Sequence, residues 1–175
     1  MARLKGIELT ARAIFAIVSE GELVELTMAV TAAAPLECPD SEVIEAWVDY
    51  NGHMNMAYYN VVFDQALDHA YDCLGIGEAY VREAHVTYLR EVKLGDPLRI
   101  TWQLLDCDAK RLHFFEHMYH GKEGYLAATS EQISMHVDLT ERRAKPFPDH
   151  LRAQFEDILS QHRQLPRPNQ AGHVI

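Results

Sequence analysis

The chain has 175 residues with 16 Lys and Arg against 26 Asp and Glu, a formal net charge of −10, and a hydrophobic fraction of 48%. That length fits one domain with extra material at its ends, and that composition buries a core, so two full domains and a wholly disordered chain are both excluded. The acidic balance argues against a nucleic-acid surface, which needs clustered Lys and Arg; an anionic ligand would require a local basic patch.

Residues 1–36 show no clear period and end in the small-residue tract Thr31-Ala32-Ala33-Ala34-Pro35, which reads as an N-terminal extension or linker, with Met28 as an alternative initiator to Met1. Glu42-Val43-Ile44-Glu45-Ala46-Trp47 reads as a first strand. From Asn55 to Leu74 the apolar residues Tyr58, Val62, Ala66, Ala70 and Leu74 recur at helical spacing, while Asp64, Asp68 and Asp72 form a separate polar stripe. This predicts one helix of about five turns, stopped by Gly75.

Four strands are predicted next. Ala84, Val86 and Tyr88 alternate; so do Leu98, Ile100, Trp102 and Leu104; Leu112 to Tyr119 is a third; Ala127 to Val137 is a long fourth. Turn signals at Gly95-Asp96-Pro97, Asp106 to Lys110 and Gly121 to Gly124 predict antiparallel neighbours. Pro146 and Pro148 introduce a last helix with Leu151, Phe155, Ile158 and Leu159 on one face, and residues 161–175 read as a flexible tail. The domain proper is therefore expected over 37–160. One long helix followed by a meander suggests an α+β arrangement, a curved antiparallel sheet wrapped around the helix. Such a sheet leaves an edge open, which edge-to-edge pairing of two copies would close, giving a homodimer or homotetramer.

Chemistry concentrates in Asp49-Tyr50-Asn51-Gly52-His53-Met54-Asn55, between the first strand and the long helix. A carboxylate beside the first turn of a helix sits near unsatisfied N–H donors and a partial positive charge, which can stabilise an oxyanion as a thioester carbonyl is attacked. The carboxylate can attack directly or activate water. Gly52 lets backbone approach a ligand, Asn55 suits the N-cap, and His53 can hold the loop or donate to substrate. The same pattern is also a common turn signature, and spacing alone leaves the plain cap reading open.

At these residues the sequence resembles the hotdog-fold acyl-CoA thioesterases related to 4-hydroxybenzoyl-CoA thioesterase. Their pattern, Asp-x-x-Gly-His-x-Asn followed by a Tyr early in the helix, is met by Asp49, Gly52, His53, Asn55 and Tyr59. The resemblance implies a hotdog fold, Asp49 as nucleophile or general base, an amide N–H near Met56 that polarises the thioester carbonyl, and Asn51 as part of the same catalytic loop. A closer similarity lies in Val48 to Met54 taken with Arg90-Glu91-Val92-Lys93-Leu94-Gly95-Asp96 and Asp108-Ala109-Lys110-Arg111-Leu112-His113. These stretches are similar to the betainyl-CoA thioesterases of carnitine catabolism, some of which are fused to carnitine dehydrogenase. That similarity implies hydrolysis of a small acyl-CoA to free acid and coenzyme A, with no metal or organic cofactor.

A trimethylammonium acyl group would favour aromatic faces, for which Trp47, Tyr50, Tyr58, Tyr59 and Tyr88 are candidates, with core packing the plainer role for each. Arg90, Lys93, Lys110, Arg111, Arg142 and Arg143 lie at strand ends or turns where a basic rim could meet the phosphates of coenzyme A, with solvated surface charge the plainer role. Asp64 is expected on the polar stripe rather than in the site. His113 and His117 would share a strand face and His120 the other, which argues against a metal site. Cys38, Cys73 and Cys107 suit neither a disulfide framework nor a metal site and read as reduced thiols in a cytoplasm. No apolar run reaches membrane-spanning length, and Ala11 to Val18 is broken by Arg12.

Two rivals remain at this level. A hotdog enoyl-CoA hydratase or dehydratase resembles the Asp49, Asn51 start, but would place His where Met54 stands. A non-catalytic acyl-CoA-binding protein could use the same fold without turnover.

Overall fold

The computed structural model describes residues 14–19, 22–27 and 35–172. The proposed start at Met28 lies outside them. Within the segment expected as an extension, strands β1 (Ile14–Ser19) and β2 (Glu22–Thr27) pair as an antiparallel hairpin.

The main sheet is built from β3 (Leu36–Glu37), β4 (Ser41–Glu42), β5 (Ala79–Tyr88), β6 (Pro97–Cys107), β7 (Arg111–His120), β8 (Leu126–Asp138) and β9 (Arg143–Ala144). Its order is β3-β6-β7-β8-β5, with β4 also on β6 and β9 on β8. Alternation explains the layering. Leu98, Ile100, Trp102 and Leu104 of β6 and Leu112, Phe114 and Met118 of β7 are all buried in one core with helix α1 (Met56–Leu74). The helix contributes Tyr59, Val62, Phe63, Ala66, Leu67, Ala70, Tyr71 and Leu74, an i, i+3, i+4, i+7 face. Each Phe or Leu so buried contributes about 1.5–3 kcal/mol. Asp64, Asp68 and Asp72 lie exposed, as their stripe predicts. The curved antiparallel sheet and its long helix are the expected α+β hotdog arrangement.

Both ends of α1 follow local sequence signals. Asn55 is the N-cap, its side chain accepting from the Ala57 N–H at 3.0 Å. Gly75 closes the helix in the left-handed conformation, φ 67°.

Two expectations are corrected. Of Glu42–Trp47, read as a first strand, Glu42 alone lies in one, at the end of Ser41–Glu42, and Glu45–Trp47 is a single 3₁₀ turn. The apolar run is too short to extend once its exposed residues Ile44, Glu45 and Ala46 leave the sheet. Secondly, β5 is not a neighbour of β6. It crosses to the far edge and pairs with β8, Tyr88 opposite Ala128, because consecutive hairpins already occupy both sides of β7. Among the described residues the strand pairs of β5 are with β8.

Helix α2 (Asp149–His162) buries Leu151, Phe155, Ile158 and Leu159 as expected. Its last residue caps the edge of β6, where the Leu104 N–H donates to His162 Nδ1 at 2.8 Å. The segment expected as a tail stays with the domain as far as Gly172. Pro168 is buried, and the Gly172 N–H donates to both Glu131 oxygens at 2.9 and 2.8 Å.

Candidate active site

The loop before α1 is folded by its own hydrogen bonds. The Gly52 N–H donates to Asp49 O at 3.0 Å and the Asp49 N–H to His53 O at 2.9 Å, while Val48 and Met54 form an isolated bridge. Gly52 adopts φ +81°, which L side chains rarely accept. The Asp49 carboxylate turns back onto this loop: Oδ1 accepts from the Asn51 N–H at 2.8 Å and the His53 N–H at 3.4 Å. Donors from two backbone amides fix its direction.

A second segment holds the loop in place. The Met54 N–H donates to Val92 O at 2.9 Å, and His53 bridges Lys93. The Asp96 carboxylate in turn accepts the Lys93 N–H at 2.7 Å. Through this pairing Glu91 reaches His53, with Oε2 3.1 Å from Nε2, and Lys93, with Oε1 3.3 Å from Nζ.

At the helix start three amides are engaged. Asn55 donates to Trp47 O at 2.9 Å, Tyr58 to Asn55 O at 2.9 Å, and Ala57 to the Asn55 side chain. The Met56 N–H, between them, has no acceptor among the described residues. It lies beside a cleft of about 290 Å³ walled by His53, Met54, Met56, Tyr59, Tyr88 and the 89–91 segment. Asp49 is not one of its walls. A free N–H at the positive end of a five-turn helix, opening on a cleft, is the geometry that stabilises a developing oxyanion.

The expected aromatic residues separate into two pairs. Tyr59 and Tyr88 meet edge to face at 5.2 Å on the cleft, and the Tyr88 hydroxyl donates to Met56 O at 3.3 Å. Burial raises the Tyr59 phenol above its ordinary range. Trp47 and Tyr58 stack at 5.8 Å and pack against the core instead, and Tyr50 is 97% exposed.

The expected basic residues divide as well. Arg90 walls the cleft, its guanidinium 3.8 Å above the Tyr125 ring and 3.9 Å from Glu123, and Lys93 stands beside Glu91. Arg111 pairs with Asp108 at 2.7 Å and lies opposite Met135. Ala128, opposite Tyr88, is seven residues back along β8, which separates Arg111 from the cleft by about 23 Å of strand rise. Lys110 flanks Arg111, and at that same remote end Arg142 lies in the turn after β8 and Arg143 opens β9.

The histidines on β7 have separate partners. His113 meets Glu131 at 2.8 Å, His117 stacks on Tyr119, and His120 Nδ1 accepts from the Lys122 and Glu123 N–H groups. Among the described residues no group of three His, Cys, Asp or Glu side chains is placed to hold a metal ion.

Comparison with known proteins fits this geometry. Residues 44–155 match the model of the thioesterase-like superfamily. The chain belongs to that superfamily. Among relatives of this superfamily member, a betainyl-CoA thioesterase of Pseudomonas aeruginosa is 36% identical over 145 residues, 78% of this chain and 91% of that protein. An L-carnitine dehydrogenase/betainyl-CoA thioesterase of Rhizobium meliloti is 37% identical over 152 residues, 82% of this chain. The thioesterase-like chain spans about a third (31%) of that longer relative. A hypothetical protein of Staphylococcus aureus, solved in complex with CoA, is 29% identical with a TM-score of 0.73, covering 81% of this chain and 94% of that one.

Proposed function

We propose that this protein hydrolyses the thioester of a small acyl-CoA, betainyl-CoA above all, to the free acid and coenzyme A. The observation that carries the proposal is the unaccepted Met56 N–H at the head of α1, opening on a cleft next to the Asp49 loop. In the reaction the thioester oxygen lies at that N–H, where the negative charge of the tetrahedral intermediate is stabilised by a fixed donor and the helix dipole. Asp49 supplies the carboxylate that attacks the carbonyl carbon or takes the proton of an attacking water. Collapse of the intermediate breaks the C–S bond, and the thiolate of coenzyme A leaves. Asn51 and Gly52 shape the loop that aims Asp49, and Asn55 caps the helix without consuming the Met56 donor.

The size of the cleft favours a small acyl group, since drug-sized ligands occupy pockets of roughly 300–1,000 Å³. The bifunctional and free-standing relatives support betainyl-CoA as that acyl-CoA. In the proposed enzyme no metal or organic cofactor takes part, and coenzyme A enters as half of the substrate. Arg90, drawn out over the Tyr125 ring toward Glu123, is the basic residue placed to meet its phosphates. Two copies pair through an edge of the curved sheet, giving a homodimer or homotetramer. The free thiols of Cys38, Cys73 and Cys107 fit a cytoplasmic protein, and no helix among the described residues is long and apolar enough to cross a membrane.

The deciding experiment measures thiol release from a panel of acyl-CoA esters that includes betainyl-CoA, beside hydration of an enoyl-CoA. Hydration without thiol release would replace hydrolysis by the hydratase reading, and ligand binding without either reaction would leave a binding protein.

A further inference from the structure

The cleft contains a carboxylate for which the hydrolysis above has no task. Glu91 walls it with a side chain 53% exposed, held from one side by His53 Nε2 and Lys93 Nζ at 3.1 and 3.3 Å. Facing it on the cleft are the perpendicular rings of Tyr59 and Tyr88. We infer that Glu91 and these two rings form the subsite for a quaternary-ammonium group on the acyl chain, an assignment that rests on the thioesterase reading above.

Three features support it. A quaternary ammonium has no N–H to donate, so it seeks negative potential and aromatic surface rather than lone pairs, and both are present here. Such a group leaves the His53 and Lys93 contacts of Glu91 in place, because it competes for none of their hydrogen bonds. Spacing fits as well. Met56 and Tyr59 are three residues apart, about 4.5 Å of helix rise, and in a betainyl ester the nitrogen stands only two bonds beyond the carbonyl carbon. The one cationic wall, Arg90, is drawn away onto the Tyr125 ring and toward Glu123.

Glu91 could instead serve only to hold His53, and the two roles separate cleanly. A cationic subsite discriminates betainyl-CoA from tert-butylacetyl-CoA, which has the same shape with carbon in place of nitrogen and no charge. A positioning role slows both esters alike. The experiment is therefore the ratio of kcat/KM for the two esters. The wild type is expected to favour betainyl-CoA, and because the ammonium also activates its carbonyl inductively, the subsite is read from how that ratio changes on substitution. Glu91→Gln is expected to lower that ratio about tenfold, the size of a partly desolvated charge contact. Tyr88→Phe keeps the aromatic face and the preference, whereas Tyr88→Leu reduces it, so the assignment stays testable should one variant fold poorly. A Glu91→Gln enzyme with the wild-type ratio, including one slowed equally on both esters, overturns the subsite. So does a wild type without preference, although hydrolysis itself then stands. Thiol release from neither ester refutes the hydrolase and the subsite together.

Discussion

His162 Nδ1 accepts the Leu104 N–H at 2.8 Å, so a neutral imidazole at the end of α2 satisfies the edge of β6. Burial holds this imidazole down at about 4. The unfolded chain protonates its histidine near 6.5, the folded chain only near 4, so the unfolded state binds more protons between those values. Stability from this group is complete above about pH 6.5 and is lost as pH falls toward 4, by an amount of order 3 kcal/mol. Urea midpoints recorded across that window should drop more steeply for the wild type than for His162→Gln.

Glu116 produces the opposite dependence. It is fully buried on the inner face of β7, and desolvation raises its carboxyl well above the usual range, although Gln132 donates to it at 2.8 Å. The folded chain keeps this proton where the unfolded chain has released it, so the stabilisation is lost as pH rises from the ordinary carboxylate range. Glu116→Gln removes the ionisable group while keeping shape and a hydrogen-bond acceptor. Chemical unfolding at pH 8 should find that variant more stable by about 1–3 kcal/mol, with the gain shrinking toward pH 5. A variant less stable at pH 8 would contradict a neutral buried Glu116.

Replacement of Asp49 by Asn tests the chemistry without disturbing the loop. The amide oxygen still accepts from the Asn51 and His53 N–H groups, so the fold is retained. Nucleophilicity and basicity are lost. Thiol release should fall by at least about a hundredfold, with circular dichroism and thermal midpoint close to wild type.

Asn55→Ala removes the acceptor of the Ala57 N–H at the head of α1. The loss should be about 1 kcal/mol by urea unfolding, a typical cap value. Activity should fall as well, because the freed Ala57 amide loosens the turn that presents Met56. Retained stability would show that Asn55 is not acting as a cap.

What the sequence made legible was local. Helix α1 could be bounded from Asn55, Gly75 and the Tyr58-to-Leu74 period because caps and amphipathic spacing operate within a few residues. The long strands followed from alternation. Pairing was another matter: β5 beside β8 is a long-range choice, decided by which edges the β6-β7-β8 hairpins leave available. The Glu42–Trp47 error has the same origin, since of that stretch Glu42 alone lies in a strand. In the site, the loop from Asp49 to Met56 was readable as one unit, and Glu91 was not assigned a role. It meets His53 only through the Met54–Val92 contact across the fold. A signal was present in Glu91-Val92-Lys93, where a fully buried Val92 places its two charged neighbours together on the opposite side.

The floor beneath α1 is partly polar: Glu116, Ser130, Gln132 and Ser134 are buried on the inner face, and burial pushes the Tyr71 phenol well above its ordinary range. A uniformly oily floor would accept the helix almost equally well one turn out of place. Such a slip carries Met56 about 5.4 Å along the axis and away from the Asp49 loop. The Tyr71 hydroxyl would then be carried off Ser134, a penalty that hydrocarbon cannot impose. The protein gives up some stability at Glu116 and gains an alignment pin, which keeps the oxyanion donor in register with the carboxylate it serves.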